Sequence, residues 1–128
     1  MDHVGLAVNN ADEVAASLSR LFGFEVATSL TEPKAGFKST MISQGDVTFE
    51  LIEPVGPQGM IQRFIEKRGG GLHHVSIQVS DLDEEMKRLK ALGVQFVGEE
   101  AAEMPDARII FIHPRSASGL LIELIQKK

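Results

Sequence analysis

Apolar positions along the chain fall into two similar successions, each reading strand, helix, strand, strand, strand. His3 to Val8 is apolar and β-branched enough for a buried strand. Asn9-Asn10 signals a turn, and Asn10 or Asp12 is placed to cap the next element. Val14, Leu18, Leu21 and Phe22 recur at helical spacing, which predicts an amphipathic helix over 11–22, ended by Gly23. Residues 24–29 predict a second strand and residues 31–36 a loop containing Pro33. Residues 37–43 and 47–53 then predict a hairpin across Gln44-Gly45-Asp46.

Pro54 to Gly59, with two prolines and two glycines, is the natural linker. Residues 60–67 predict a short helix with Ile61, Phe64 and Ile65 on one side, and Gly69-Gly70-Gly71 a flexible joint after it. The second succession comes next: a strand over 72–79, a helix capped by Ser80 or Asp81, and Gly93 at its end. Leu82, Met86, Leu89 and Leu92 give that helix its apolar stripe, which is core. Residues 94–97 predict a strand and 98–107 a polar stretch. Residues 108–113 and 120–126 predict the last two strands, joined by Pro114-Arg115-Ser116-Ala117-Ser118-Gly119. Each half alone would expose the edges and face of a small sheet, and joining the two in one curved sheet hides them. The expected fold class is α+β: two β-α-β-β-β modules in a curved mixed sheet. One domain spans 1–128, with modules at about 1–54 and 72–128 and a linker at about 55–71.

Composition narrows the function without naming it. Hydrophobic content of 43% and charged content of 24% are those of a soluble globular protein. A net charge of -5 argues against nucleic-acid binding, which needs a concentrated basic face. Arg63, Lys67 and Arg68 form the densest basic group, a solvated helix face or a contact for one anionic ligand. With no cysteine there are no disulfides, thiolate ligands or cysteine nucleophile. No apolar run approaches membrane-spanning length and the N-terminus has no secretory pattern, so the expectation is a cytoplasmic protein with no membrane partner.

The chemistry lies in a repeat. His3 opens the first strand and Glu50 sits in a later one, 47 residues on; His74 and Glu123 do the same, 49 residues apart. If the halves are structural repeats, two imidazoles and two carboxylates come from equivalent places and suit a divalent metal. The competing readings are ordinary: a single histidine on an apolar strand is more often a core residue, and each glutamate could face solvent on its alternating strand. Burying an unpartnered carboxylate on the core side is costly, which favours a bound partner. His73 faces the opposite side of the strand from His74 and reads as a packing or surface residue. His113, before Pro114, reads as structural or as a ligand contact. Glu53, Glu99 and Glu100 read as solvated charges.

The stretches Asp2-His3-Val4-Gly5-Leu6-Ala7-Val8, Phe49-Glu50-Leu51-Ile52-Glu53-Pro54, Gly70-Gly71-Leu72-His73-His74-Val75, Phe111-Ile112-His113-Pro114-Arg115-Ser116 and Gly119-Leu120-Leu121-Ile122-Glu123-Leu124 resemble the vicinal oxygen chelate superfamily (glyoxalase/bleomycin resistance/dioxygenase proteins). Within it the chain is most similar to methylmalonyl-CoA epimerases, the His-Pro-Arg-Ser turn pointing that way. The resemblance implies a glyoxalase-like sheet around a metal site. It makes His3, His74 and Glu123 metal ligands and puts Glu50 at a fourth ligand position. It also implies cobalt, or else zinc, nickel or manganese, as the ion, an acyl-CoA substrate and a homodimer. The chain departs from the family in two places. Ser39 stands where some epimerases have a glutamate base, and Glu103-Met104-Pro105-Asp106-Ala107 replaces a glycine-rich loop.

Epimerising a carbon beside a thioester requires a base on each side of the substrate plane. Glu50 and Glu123 are the candidates, Glu123 anchoring the metal and Glu50 the more mobile acid/base. A glyoxalase I-like lactoylglutathione lyase needs the same residues and is the first rival. An extradiol dioxygenase usually uses one carboxylate with two histidines, which Glu50 would crowd. A non-catalytic antibiotic-binding protein usually lines its pocket with aromatics, and this chain has no Tyr or Trp.

Overall fold

The computed structural model describes residues 1–32, 34–57 and 59–128. Pro33 of the expected loop and residue 58 of the expected linker lie outside the described residues. The chain divides into two compact units, His3–His73 and Met1–Asp2 with His74–Lys128. The linker helix belongs to the first.

The first unit runs β1 (His3–Ala7), α1 (Ala11–Phe22), β2 (Glu25–Glu32), β3 (Phe37–Gln44), β4 (Val47–Pro54) and α2 (Met60–Arg68). Its strands lie in the order β2-β3-β4-β1, with β1 parallel to β4 and the other pairs antiparallel. Asn10 caps α1 by accepting the Glu13 N–H, and Gly23 ends it at φ 79°. The apolar stripe sits differently from its prediction. Ala11 and Ala15 are buried against Phe24, Ile42 and Leu51, with Val14 and Leu18 beside them, while Leu21 and Phe22 are exposed. Helix packing thus selects the small residues, which let α1 approach the sheet. The Phe24 and Phe49 rings stack at 5.2 Å in this core. A second cluster, Ala7, Ile52 and Ile61, seats α2. At the joint after α2, Gly69 caps the helix at φ 77°, and a Cβ on Gly70 would meet the Ala7 carbonyl oxygen at 2.9 Å.

β5 (Gly71–Gln78) crosses the boundary at His73/His74 and opens the second unit, followed by α3 (Leu82–Ala91), β6 (Phe96–Glu103), β7 (Ala107–Ile112) and β8 (Ile122–Lys127). The order is β5-β8-β7-β6, with β5 parallel to β8. Both halves therefore realise the predicted β-α-β-β-β succession, an α+β fold. Asp81 caps α3, and Leu82 and Met86 are buried with Ile110, Ile112 and Leu124, while Leu92 at the helix end is exposed. Residues 98–103 of the expected polar stretch continue β6 across a register irregularity between Val97 and Ala102. Arg108 holds this edge: its guanidinium donates to Glu103 and, through both terminal nitrogens, to Asp83. Those hydrogen bonds keep the Asp83 carboxyl below its ordinary range, and bonds from Lys128 and then Arg108 do the same for Glu103.

One cross-link recurs in both units. Glu53 Oε1 accepts the Ala11 N–H at 2.8 Å, and Gln126 Oε1 accepts the Leu82 N–H at 2.7 Å. Each pins the last strand of its half to the first residue of the helix, satisfying a donor that the helix itself leaves unpaired. Glu53 is thus a cap and not a solvated charge; Glu99 and Glu100 are exposed as expected. Glu53→Ala and Gln126→Ala should each lower stability by about 1 kcal/mol, read from urea unfolding midpoints at unchanged slope.

Candidate functional site

Strand alternation sorts the chemistry from the core. On β4, Phe49 and Leu51 face α1, so Glu50 points to the opposite face. On β1, Leu6 and Val8 join the α1 core and His3, Gly5 and Ala7 lie on the other side. On β8, Ile122 and Leu124 pack toward α3, leaving Glu123 opposite. Each candidate is thereby placed on the face of its half-sheet opposite α1 or α3, a face that in the first unit also seats α2 through Ala7 and Ile52.

In the first unit His3 is 6% exposed and its Nε2 lies 3.4 Å from Glu50 Oε1. The Ser39 hydroxyl, also buried, donates to Glu50 Oε2 at 2.6 Å. The Glu50 side chain is 18% exposed. In the second unit His74, Ser76 and Glu123 are buried. Ser76 sits directly beside Glu123 in the β5–β8 register and donates to its Oε1 at 2.8 Å. The His74 ring meets Phe111 edge-to-face, with centroids 5.8 Å apart. The Asp2 N–H bonds the Ser76 carbonyl at 2.8 Å, and the Asp2 carboxylate pairs with Lys127.

Each unit thus offers one imidazole and one carboxylate, the borderline and hard donors that suit a first-row divalent ion. The 3.4 Å between His3 and Glu50 fits shared coordination: two donors about 2.1 Å from one ion at a tetrahedral angle stand about 3.4 Å apart.

The other sequence candidates have structural tasks. The His73 ring packs edge-on against Phe64 at 4.9 Å, as its strand parity required. The Arg68 guanidinium lies over the Phe64 ring, 5.6 Å from its centroid, and Arg63 and Lys67 are exposed on α2. His113 Nδ1 accepts the Arg115 N–H at 3.0 Å and caps the 3₁₀ turn Pro114–Ser116. An open depression lined by Leu92, Gly93, Val94, Gln95, Arg115 and Ser116 borders none of the four candidate residues.

The profile of the Glyoxalase/Bleomycin resistance protein/Dioxygenase superfamily matches residues 2–126. The chain belongs to that superfamily. Among its relatives, the ethylmalonyl-CoA/methylmalonyl-CoA epimerase of Cereibacter sphaeroides is 32% identical, over 98% of this chain and 96% of the relative. The crystal structure of methylmalonyl-CoA epimerase from Mycobacterium tuberculosis is 32% identical with a TM-score of 0.91, covering 99% of this chain and 87% of that one. A Streptomyces coelicolor methylmalonyl-CoA epimerase variant in complex with 2-nitronate-propionyl-CoA is 26% identical, with a TM-score of 0.89 over 98% and 95% of the two chains.

Sequence reasoning missed Ser76, and saw Ser39 only as a departure from family pattern. Alternation held the signal for Ser76, two residues beyond His74 on the same face. Ser39 carries no such signal, because its contact depends on the β3–β4 register. Removing a hydroxyl that donates to a buried carboxylate costs about 1.5–3 kcal/mol. Ser76→Ala should lower the stability of the metal-free protein by that amount, measured by chemical unfolding.

Proposed function

We propose that this superfamily member is a methylmalonyl-CoA epimerase, in which residues 1–128 act as one catalytic domain and His3, Glu50, His74 and Glu123 share one divalent cation. The observation that carries the reading is the matched pair of half-sites. Each unit presents a buried histidine and a serine-held glutamate on corresponding strands. Near-full-length similarity to enzymes named as methylmalonyl-CoA epimerases supports the substrate class.

A bound divalent ion supplies Lewis-acid stabilisation of the charge that develops on a thioester oxygen when the α-proton leaves. Burial divides the remaining work between the glutamates. Glu123 is 6% exposed and bonded to a fully buried serine, which suits an anchor. Glu50 is 18% exposed and suits a group that meets substrate. Glu50 takes the α-proton from one face, and the Glu123 carboxyl is the group assigned to return one on the other. His3 and His74 stay in place as ligands, His74 packed against the Phe111 ring.

Glu50→Gln should retain most of the metal yet lose solvent deuterium incorporation into methylmalonyl-CoA by about 100-fold or more; exchange at the wild-type rate sinks the assignment. Chelator treatment should abolish epimerisation, and added Co²⁺ restore it. Turnover of a methylglyoxal–glutathione adduct without methylmalonyl-CoA exchange would move the protein to the lyase reading. Cobalt as the natural ion, a homodimeric assembly and a cytoplasmic location belong to the same proposal, the first two tested by metal analysis and sedimentation equilibrium of the purified protein.

A further inference from the structure

The two glutamates are held by serines from different places. Gly5 is the β1 partner of Glu50, and Ser76 is the β5 partner of Glu123. Glycine has no hydroxyl, so the hydrogen bond to Glu50 comes from the strand on its other side. There Met41 is the direct partner of Glu50, and Ser39 lies diagonally two residues along on the same face. The matching diagonal position on β7 is Ile109, the partner of Ile125, which has no polar group to offer Glu123. The Ser39–Glu50 contact is therefore special to the first half. It is short, 2.6 Å, in the range of a hydroxyl donating to a carboxylate. It occupies Oε2 and leaves Oε1 toward His3.

Resting on the epimerase reading above, we propose that Ser39 is a positioning residue that keeps Glu50 in one orientation throughout proton transfer. A hydroxyl both donates and accepts. While Glu50 is a carboxylate, Ser39 donates to Oε2. When the substrate α C–H bond breaks, its electron pair remains on the substrate as an enolate and the proton forms an O–H bond on Glu50. If that proton resides on Oε1, Ser39 continues to donate to Oε2; if on Oε2, the hydroxyl turns and accepts it. A cationic or amide N–H partner lacks the second option. The Glu123 carboxyl, assigned to the opposite face and protonated before the step, then gives its proton to the enolate carbon, forming the new C–H bond and leaving a carboxylate. Glu123 is held instead by a fully buried serine on the directly paired strand.

Ser39→Ala and Ser39→Thr, loaded with Co²⁺, test this through kcat, KM, deuterium exchange into methylmalonyl-CoA and bound metal. Ser39→Ala should lower kcat and exchange together by about tenfold or more, with KM and metal content unchanged, the loss of one hydrogen bond to a charged group. Ser39→Thr, which restores the hydroxyl, should recover to within about threefold of wild type. Where the alanine variant is unstable, the isosteric Ser39→Cys, a weak donor, should show the same kcat loss. Wild-type kcat in Ser39→Ala overturns the assignment, as does a threonine variant as slow as alanine, or metal lost in step with rate. Absence of exchange in the wild-type protein defeats the epimerase reading itself. Normal wild-type exchange with an unaffected Ser39→Ala defeats only the role of Ser39.

Discussion

A carboxylate set into an apolar strand has to be given partners, because desolvating it alone costs several kcal/mol. Glu50 and Glu123 both sit in such strands, between leucines, isoleucines and phenylalanines. Their surroundings reflect that demand. A serine hydroxyl donates to each, at 2.6 Å and 2.8 Å, and a histidine lies on the same face of each half-sheet. What suits a divalent ion is also what makes these carboxylates tolerable where they are. Any drift toward apolar residues at Ser39 or Ser76 removes a donor from a side chain that cannot reach bulk water freely.

Strand geometry lets the same short segments serve both faces. Successive side chains alternate, so residues an odd number apart face opposite ways. Glu50 and Glu53 are three apart on β4, as are Glu123 and Gln126 on β8. The first of each pair lies on the face opposite α1 or α3; the second reaches the N-terminus of that helix. A displacement of β4 or β8 thus disturbs the helix cap and the carboxylate together, coupling the stability of each half to the placement of its chemistry. In Glu53 the cap is also anionic, complementing the positive end of α1, whereas Gln126 does the same work without charge.

The repeat is close but imperfect, and its breaks carry information. Gly5 against Ser76 sends the search for a hydroxyl to β3 in one half and β5 in the other. Leu21 and Phe22 are exposed although their spacing fits a buried stripe, because the smaller Ala11 and Ala15 let α1 sit closer to the sheet. Residues 98–103 look polar enough for a loop, yet they belong to the edge strand β6, which resumes its pairing with β7 at Ala102 and Glu103. An edge strand needs no buried face and shows no apolar alternation, so its sequence resembles a loop.

Period and punctuation in the sequence were enough to determine the two β-α-β-β-β successions, the α1 and α3 helices to within about a residue or two at their ends, two candidate caps for each helix (Asn10 or Asp12, Ser80 or Asp81), and the His3/Glu50 and His74/Glu123 correspondence. Those features are local: they depend on 3.6- and 2-residue periods, on turn residues and on spacing. Tertiary structure alone decided which serine holds which glutamate, that Glu53 and Gln126 reach helix ends more than forty residues away, and that α2 belongs with the first unit. Each of those depends on strand register and on which elements lie side by side. A slip of one residue in register turns every side chain to the other face, and no local pattern in the chain records that choice.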